Sequence, residues 1–221
     1  MIIETIRMRH STRKFVPYSL SEDEKKHLKE FMAGVSSLHS RHLEWILADH
    51  NRGSGVIYAP CPDKSSCLVE YGFQGEQIVL ELTKMNLASC WNGSIKNDGA
   101  PAGIVVGKEE TGKLSLNDLL TGMGKRKELP ALVEGPVPQD EKLLQILEAC
   151  RLAPSAMNRQ PWKFSVQKDG LYIWTRSDLL GNHHWLDLGI VLTHAFLVAK
   201  EFFKNVSIEK AAGDKYRLVM R

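Results

Sequence analysis

Hydrophobic positions along this chain fall into two series of elements that resemble each other. Ile2, Ile3 and Ile6 lie on one side of a short amphipathic segment at the start. Ser21-Glu22-Asp23-Glu24-Lys25 then opens a helix whose Leu28, Phe31 and Met32 share a face. Ser21 followed by Glu24 is a capping-box pattern. Farther along, Pro138-Gln139-Asp140-Glu141-Lys142 opens a similar helix carrying Leu143, Leu144, Leu147 and Cys150. Both helices begin with Asp-Glu-Lys, which places carboxylates in the first turn, where the helix dipole favours them.

A second pair follows the first. Tyr71-Gly72-Phe73-Gln74-Gly75-Glu76-Gln77-Ile78-Val79-Leu80 can be laid over Trp185-Leu186-Asp187-Leu188-Gly189-Ile190-Val191-Leu192-Thr193-His194, with Gly75 on Gly189. Both segments continue as long helices of small and apolar residues, and residues 186–203 read as a buried helix. Strand-like runs lie before these helices, at 42–48 in the first series and at 162–166 and 171–175 in the second. The runs 103–107 and 216–220 suit a closing strand for each series, and a short polar helix is expected after the first of them. The pattern predicts two tandem copies, 1–134 and 135–221, of a helix-covered antiparallel or mixed sheet unit, an α+β fold. The long helices are too apolar to face water, so packing them on each other would make a pseudo-dimer from one chain.

Composition narrows the function classes. With 221 residues, 43% hydrophobic and 25% charged, the chain has the profile of a globular protein with a sizeable core. A net charge of +3, dispersed along the sequence, gives no reason to expect a nucleic-acid partner. No segment approaches the roughly 20 apolar residues of a membrane span, and Met1-Ile2-Ile3-Glu4 does not open a signal peptide. Cys61, Cys67, Cys90 and Cys150 have neither CxxC nor zinc-ligand spacing, so reduced thiols in a cytoplasmic protein are expected. His183-His184 reads as structural, and no metal site is indicated.

Four segments carry candidate chemistry, and they are divided between the copies. Arg9-His10-Ser11-Thr12-Arg13 sets two guanidiniums and two hydroxyls within five residues, a dense donor set for a phosphate. A solvated basic turn has the same composition. Ala153-Pro154-Ser155-Ala156-Met157-Asn158-Arg159-Gln160-Pro161-Trp162 is more specific. Pro154 stops the preceding helix, Ser155 and Asn158 suit a tight turn, and Trp162 is a large anchor at the start of a strand. Cys90-Trp91-Asn92-Gly93-Ser94 ends the first long helix; small residues there admit a flat ligand with Trp91 as a wall, although Gly93 could equally be a helix cap. Lys125-Arg126-Lys127 becomes part of a site only if it returns toward Arg9 and Arg13. The first copy lacks the Pro-Ser-x-x-Asn turn and the second lacks Arg-x-Ser-x-Arg, so the two hold complementary halves.

Together Arg9-His10-Ser11-Thr12-Arg13-Lys14-Phe15, Leu87-Ala88-Ser89-Cys90-Trp91, Gly124-Lys125-Arg126-Lys127 and the 153–162 turn resemble the motifs of FMN-dependent nitroreductases, in a duplicated, single-chain arrangement. The resemblance covers nearly the whole chain and implies one flavin site per chain, shared between the copies. It implies that Arg9, Ser11, Arg126 and Lys125 hold the phosphate or ribityl chain. By the same carry-over His10 lies along the ring edge, Arg13 near the N1/C2 end, and Cys90 to Ser94 near N5, with Gly93 as the N5 contact. Pro154, Ser155 and Asn158 would complete the site. One departure is Asn86-Leu87-Ala88, where many members have Gly-Leu-Gly.

The implied activity is electron transfer from NAD(P)H through FMN to a quinone, nitroaromatic or similar small acceptor. The cofactor carries the chemistry, so no catalytic triad is required. No Gly-x-Gly-x-x-Gly fingerprint is present, which fits a nicotinamide that docks transiently. The alternatives are a flavin-binding carrier or sensor without turnover, and a specialised flavin dehydrogenase or dehalogenase. A pseudo-dimer makes a monomer feasible and leaves a homodimer open.

Overall fold

A computed structural model describes residues 1–51, 54–110, 125–176 and 181–221. The short polar helix expected after the first closing strand lies outside the described residues. The chain begins with α1 (Ile2–Met8), β1 (Phe15–Val16), α2 (Glu22–Gly34), β2 (Ile46–Ala48) and β3 (Gly55–Tyr58). A 20-residue helix α3 (Ser65–Lys84), β4 (Ala88–Asn92) and β5 (Gly103–Glu109) follow. After α4 (Leu129–Leu132) come α5 (Glu141–Arg151), β6 (Trp162–Gln167) and β7 (Gly170–Thr175). A second 20-residue helix α6 (His183–Phe202) leads into β8 (Val206–Lys210) and β9 (Tyr216–Met220).

The two halves share one topology. In the first sheet β2, β3, β5 and β4 are neighbours in that order, and β1 pairs the end of β5 at Lys108 and Glu109. In the second the order is β6, β7, β9, β8. Each half is therefore a helix, a hairpin, a 20-residue helix and a second hairpin inserted beside the first. All pairings between these strands are antiparallel.

α3 and α6 cross at the centre. A Cβ on Gly189 would stand 1.9 Å from the Val69 carbonyl oxygen, and one on Gly72 would meet the Leu186 carbonyl at similar range. Glycine at both positions lets the helix backbones touch. The contacts are self-complementary: Gly72 meets Leu186 and Ile190 as Gly189 meets Val69 and Phe73. They pair Gly72 with Gly189, 117 positions apart, the same spacing that separates Asp23 from Asp140 at the starts of α2 and α5. The expected pairing of Gly75 with Gly189 is thus three residues out of register. Gly75 instead lies beneath the Trp91 and Trp45 rings.

Side chains on α3 explain why the expected strand at 42–48 is short. Glu70, Gln74 and Gln77 are buried polar residues on a helix otherwise packed in core. They accept the backbone N–H groups of Leu38, His39, Leu43 and Ser36 at 3.0–3.1 Å. Buried polar groups need such partners, and the segment that supplies them is held on the helix rather than in the sheet. Only Ile46–Ala48 remain free to pair with β3. The hydrophobic pattern does not predict β3 or β8, and residues 88–92, expected at the end of a helix, form β4. Asn86 makes that possible: at φ 57° it turns the chain out of α3, and Leu87 N–H bonds the Leu82 carbonyl at 2.8 Å. Asparagine tolerates this left-handed conformation, which otherwise favours glycine.

Cys61 and Cys67 correct another expectation, since the two are joined as a disulfide at the start of α3 rather than free thiols. Cys90 and Cys150 are not disulfide-bonded, and burial raises the Cys150 thiol pKa well above its ordinary value. Among the described residues no helix is long and apolar enough to cross a membrane.

Candidate functional site

The basic segment after α1 runs beside β4. Arg9 N–H closes the helix on the Thr5 carbonyl at 2.9 Å, Ser11 bridges Ser89, and Thr12 N–H donates to the Ser89 carbonyl at 2.9 Å. This register turns neighbouring side chains in opposite directions. Arg9 faces inward and is only 8% exposed, and its Nε is buried without a hydrogen-bond partner. Burial lowers the pKa of its guanidinium, against the opposing pull of Glu76 and Cys90. His10 faces outward, with Nε2 at 2.9 and 3.0 Å from the two Glu109 oxygens and Nδ1 at 3.1 Å from the Met8 carbonyl. Arg13 is exposed.

Residues 125–127 and the 153–160 turn meet across the halves. Arg126 Nη1 donates to the Ala153 carbonyl and to Asn158 Oδ1, both at 2.9 Å. Asn158 Nδ2 donates to the Lys125 carbonyl at 2.9 Å, and Lys127 N–H donates to Gln160 Oε1 at 2.8 Å. The turn is wound through left-handed residues, with φ of 50° at Met157, 55° at Asn158 and 50° at Gln160. For non-glycine residues such angles are costly and persist only when surroundings enforce them. Here Ser155 Oγ accepts from Gln160 N–H at 2.9 Å and Asp187 Oδ1 from Ala156 N–H at 3.0 Å. Pro154 is buried beneath.

Glu76 joins the halves at the centre. Its Oε2 accepts from Trp91 Nε1 at 2.9 Å, and its Oε1 lies 3.0 Å from His194 Nε2. Both Glu76 and His194 side chains are fully buried. His194 Nδ1 is 2.7 Å from the Ala149 carbonyl, so that nitrogen must carry a proton. A second proton is then needed between Nε2 and Oε1, and wherever it resides the pair is neutral overall. The pair brings Arg9 and Arg126 no net charge, although its carboxylate end still attracts both and offsets part of the cost of their burial. The Arg126 guanidinium is pushed down to about 10, by burial first and then by the charges of Arg9 and Arg151, with Glu76 opposing. It stays cationic at neutral pH. Two guanidiniums that repel each other, one with an orphaned buried donor, make a site for an anion.

The remaining candidates lie around this centre. Cys90 is half-buried on β4, while Trp91 turns its ring onto Gly75 of α3 rather than standing as an open wall. Asn92 Oδ1 accepts from the Ser94 N–H at 2.9 Å and from the Ser94 hydroxyl at 2.7 Å, a closed local turn. Gly93 is exposed and faces the His183 ring, which a Cβ there would meet at an ordinary 3.6 Å. The structure thus joins Arg9, Arg126, Ser155 and Asn158 with the β4 register. It holds His10 on Glu109, and it uses the Lys125 carbonyl rather than its exposed side chain. Glu76, His194, Gln160 and Asp187 were missed as site-builders. The signal available was a carboxylate and a histidine in two otherwise apolar helices, which have to find partners where those helices pack.

The sequence matches, over residues 1–199, the family described as "Putative TM nitroreductase". The chain belongs to this nitroreductase family. The fold agrees with a solved structure described as a "putative nitroreductase" from Thermotoga maritima MSB8, at 33% identity and a TM-score of 0.84, covering 99% of this chain and 93% of that one. More distant nitroreductases match in part. One from Desulfovibrio desulfuricans, described as "in complex with FMN", is 14% identical, covers 62% of this chain and 98% of its own, and has a TM-score of 0.45. Another, "with bound FMN" from Desulfitobacterium hafniense DCB-2, is 16% identical, covers 53% and 95%, and has a TM-score of 0.43. No curated protein matches the sequence significantly.

Proposed function

We propose that this nitroreductase-family protein is an FMN-dependent oxidoreductase that passes electrons from NAD(P)H to a quinone, nitroaromatic or similar small acceptor. The observation that carries the reading is the pair of buried guanidiniums, which the neutral Glu76–His194 pair compensates only in part. Arg9 is buried with an orphaned Nε, Arg126 lies in its field, and Glu76 is already neutralised by His194. A phosphate dianion supplies the missing charge and accepts charge-assisted hydrogen bonds. FMN has such a group, and when bound it supplies the electron-carrying ring.

The chain's own residues do the rest. Arg9 and Arg126 would hold the phosphate, with Ser11, on the same strand-like segment, offering a hydroxyl. Lys125, Pro154, Ser155 and Asn158 would shape the other wall, the last fixed by its bonds to Arg126 and Lys125. Cys90, Asn92, Gly93 and Ser94 would border the ring, and His10 and Arg13 would lie at its margin. Glu76 positions Trp91 and, through His194, ties the two halves together where the cofactor would lie.

This reading includes an internal duplication, with copies at 1–134 and 135–221. The common strand order, the self-complementary helix crossing and the repeated spacing of 117 residues support it. One chain then suffices for one complete site. Purification in the presence of FMN followed by a visible spectrum tests the reading. A flavin-to-chain ratio near one, with bleaching on anaerobic addition of NADH or NADPH, is expected; a chain that retains no flavin would sink it.

A further inference from the structure

The loop between β3 and α3 carries chemistry that the flavin site does not use. Cys61 and Cys67 are joined across it as a disulfide, and both are buried, at 5% and 0% exposure. Cys67 is the third residue of α3. No side chain caps the N-terminus of that helix, and no carboxylate lies in its first turn. Asp63, which precedes the N-cap residue Lys64, is engaged elsewhere: its two oxygens accept from Asn182 Nδ2 at 3.0 and 3.2 Å. The first helical bond runs from Leu68 N–H to the Lys64 carbonyl at 3.0 Å. The N–H groups of Ser65, Ser66 and Cys67 come before it and have no partner within the helix. Helical side chains lean towards the N-terminus, which directs the Cys67 sulfur towards those donors.

A helix N-terminus stabilises a thiolate, and a stabilised thiolate leaves a disulfide readily. Cys61, between Pro60 and Pro62, keeps the slight exposure that an incoming thiol needs. The same loop also acts as a strut. Through Asp63 it holds Asn182, the N-cap residue of α6, and the ring of the next residue, His183, faces Gly93. We infer that Cys61 and Cys67 form a redox clasp: the disulfide fixes the start of α6 beside Gly93, and a thiol donor opens it. In the opening, a donor thiolate attacks the Cys61 sulfur, and the S–S bond breaks with its electron pair on Cys67. A second donor thiol then releases Cys61. The protein gains two electrons and two protons and ends with two thiols, while the donor leaves as its own disulfide. Without the cross-link, ordering the 61–64 segment costs more chain entropy, so the hold of Asp63 on Asn182 weakens.

The full chain is equilibrated with mixtures of reduced and oxidised glutathione, starting from both the oxidised and the reduced protein. Acid quenching, alkylation in denaturant and intact mass then count the thiols. Under oxidised glutathione alone two thiols are expected, those of Cys90 and Cys150. Two more should appear together as the mixture becomes reducing. A pair that never closes, or one that stays closed under reduced glutathione alone, overturns the clasp. Hydrogen exchange reads the consequence. Peptides covering 59–64 and 181–186 should exchange about tenfold faster in the reduced chain, with those covering 70–82 unchanged. Cys61→Ser, kept free of reductant, should reproduce the reduced pattern. Equal exchange at 181–186 in the two redox states of the parent chain overturns the link to α6, whether or not the variant folds. Both readouts are taken without flavin, so a failure of the clasp and a failure of flavin binding are told apart.

Discussion

Replacing Arg9 by methionine should move apo stability and flavin affinity in opposite directions. Methionine keeps most of the apolar stem and removes the guanidinium, so little cavity is left. In the free protein the substitution takes away a side chain that is 8% exposed, with an unpartnered Nε and a like charge at Arg126 nearby. Leaving a buried donor unsatisfied costs about 1–3 kcal/mol. Loss of the attraction to Glu76 offsets part of that gain, but burial is the larger influence on Arg9. A net gain of about 1 kcal/mol in apo stability is expected, read as a higher urea midpoint at unchanged slope. Flavin binding should weaken by about 1.5–3 kcal/mol, the worth of hydrogen bonds to a charged group, which is roughly tenfold to more than a hundredfold in Kd. Quenching of FMN fluorescence measures it. A variant that is less stable without flavin, or that binds FMN as tightly as the parent, would refute the picture of a cation waiting for its anion.

Three further outcomes follow from specific contacts. Asn158→Ala removes the bonds to Arg126 and the Lys125 carbonyl and places alanine at φ 55°; FMN affinity should fall by about 1–3 kcal/mol in the same titration, and Asn158→Gly should recover none of the side-chain part. Gly189→Ala drives a Cβ to 1.9 Å from the Val69 carbonyl and must part α3 from α6, costing about 3 kcal/mol or more in urea unfolding, whereas Gly34→Ala, with open space around it, should stabilise by about 0.5–1 kcal/mol. Glu76→Ala strands His194 and should destabilise by about 3–5 kcal/mol, while adding His194→Phe should cost much less than the sum of the two single changes; strict additivity in that cycle would contradict a shared proton.

Much of this architecture was legible in local patterning. The Ser21 capping box forms as written, with Glu24 N–H to Ser21 Oγ at 3.1 Å and Ser21 N–H to Glu24 Oε2 at 2.8 Å. The second hairpin and both closing strands fall where alternation and β-branched residues put them. These are properties of a few consecutive residues, and so is the division of the motifs between the first and second halves of the chain. The turn at 153–162 was also recognisable in outline, because proline and asparagine have local conformational preferences.

Long-range pairing decided the rest. Whether 88–92 continues a helix end or becomes a strand depends on β5 lying alongside, which no window around Trp91 contains. The helix crossing falls on Gly72 rather than Gly75 because only there do the backbones meet, while Gly75 is taken by two tryptophan rings. Residues 42–48 have a strand-like pattern, yet the N–H groups of Ser36, Leu38 and Leu43 satisfy carboxylate and amide oxygens that α3 buries and only Ile46–Ala48 pair in the sheet. The inward turn of Arg9, the neutral Glu76–His194 pair and the return of Arg126 to Asn158 likewise exist only once the halves pack. The sequence by itself determined which groups are available, since side-chain chemistry and local backbone preference are carried by each residue. Tertiary structure decided which charges are compensated, because neutralisation and desolvation depend on what the fold brings within a few ångströms.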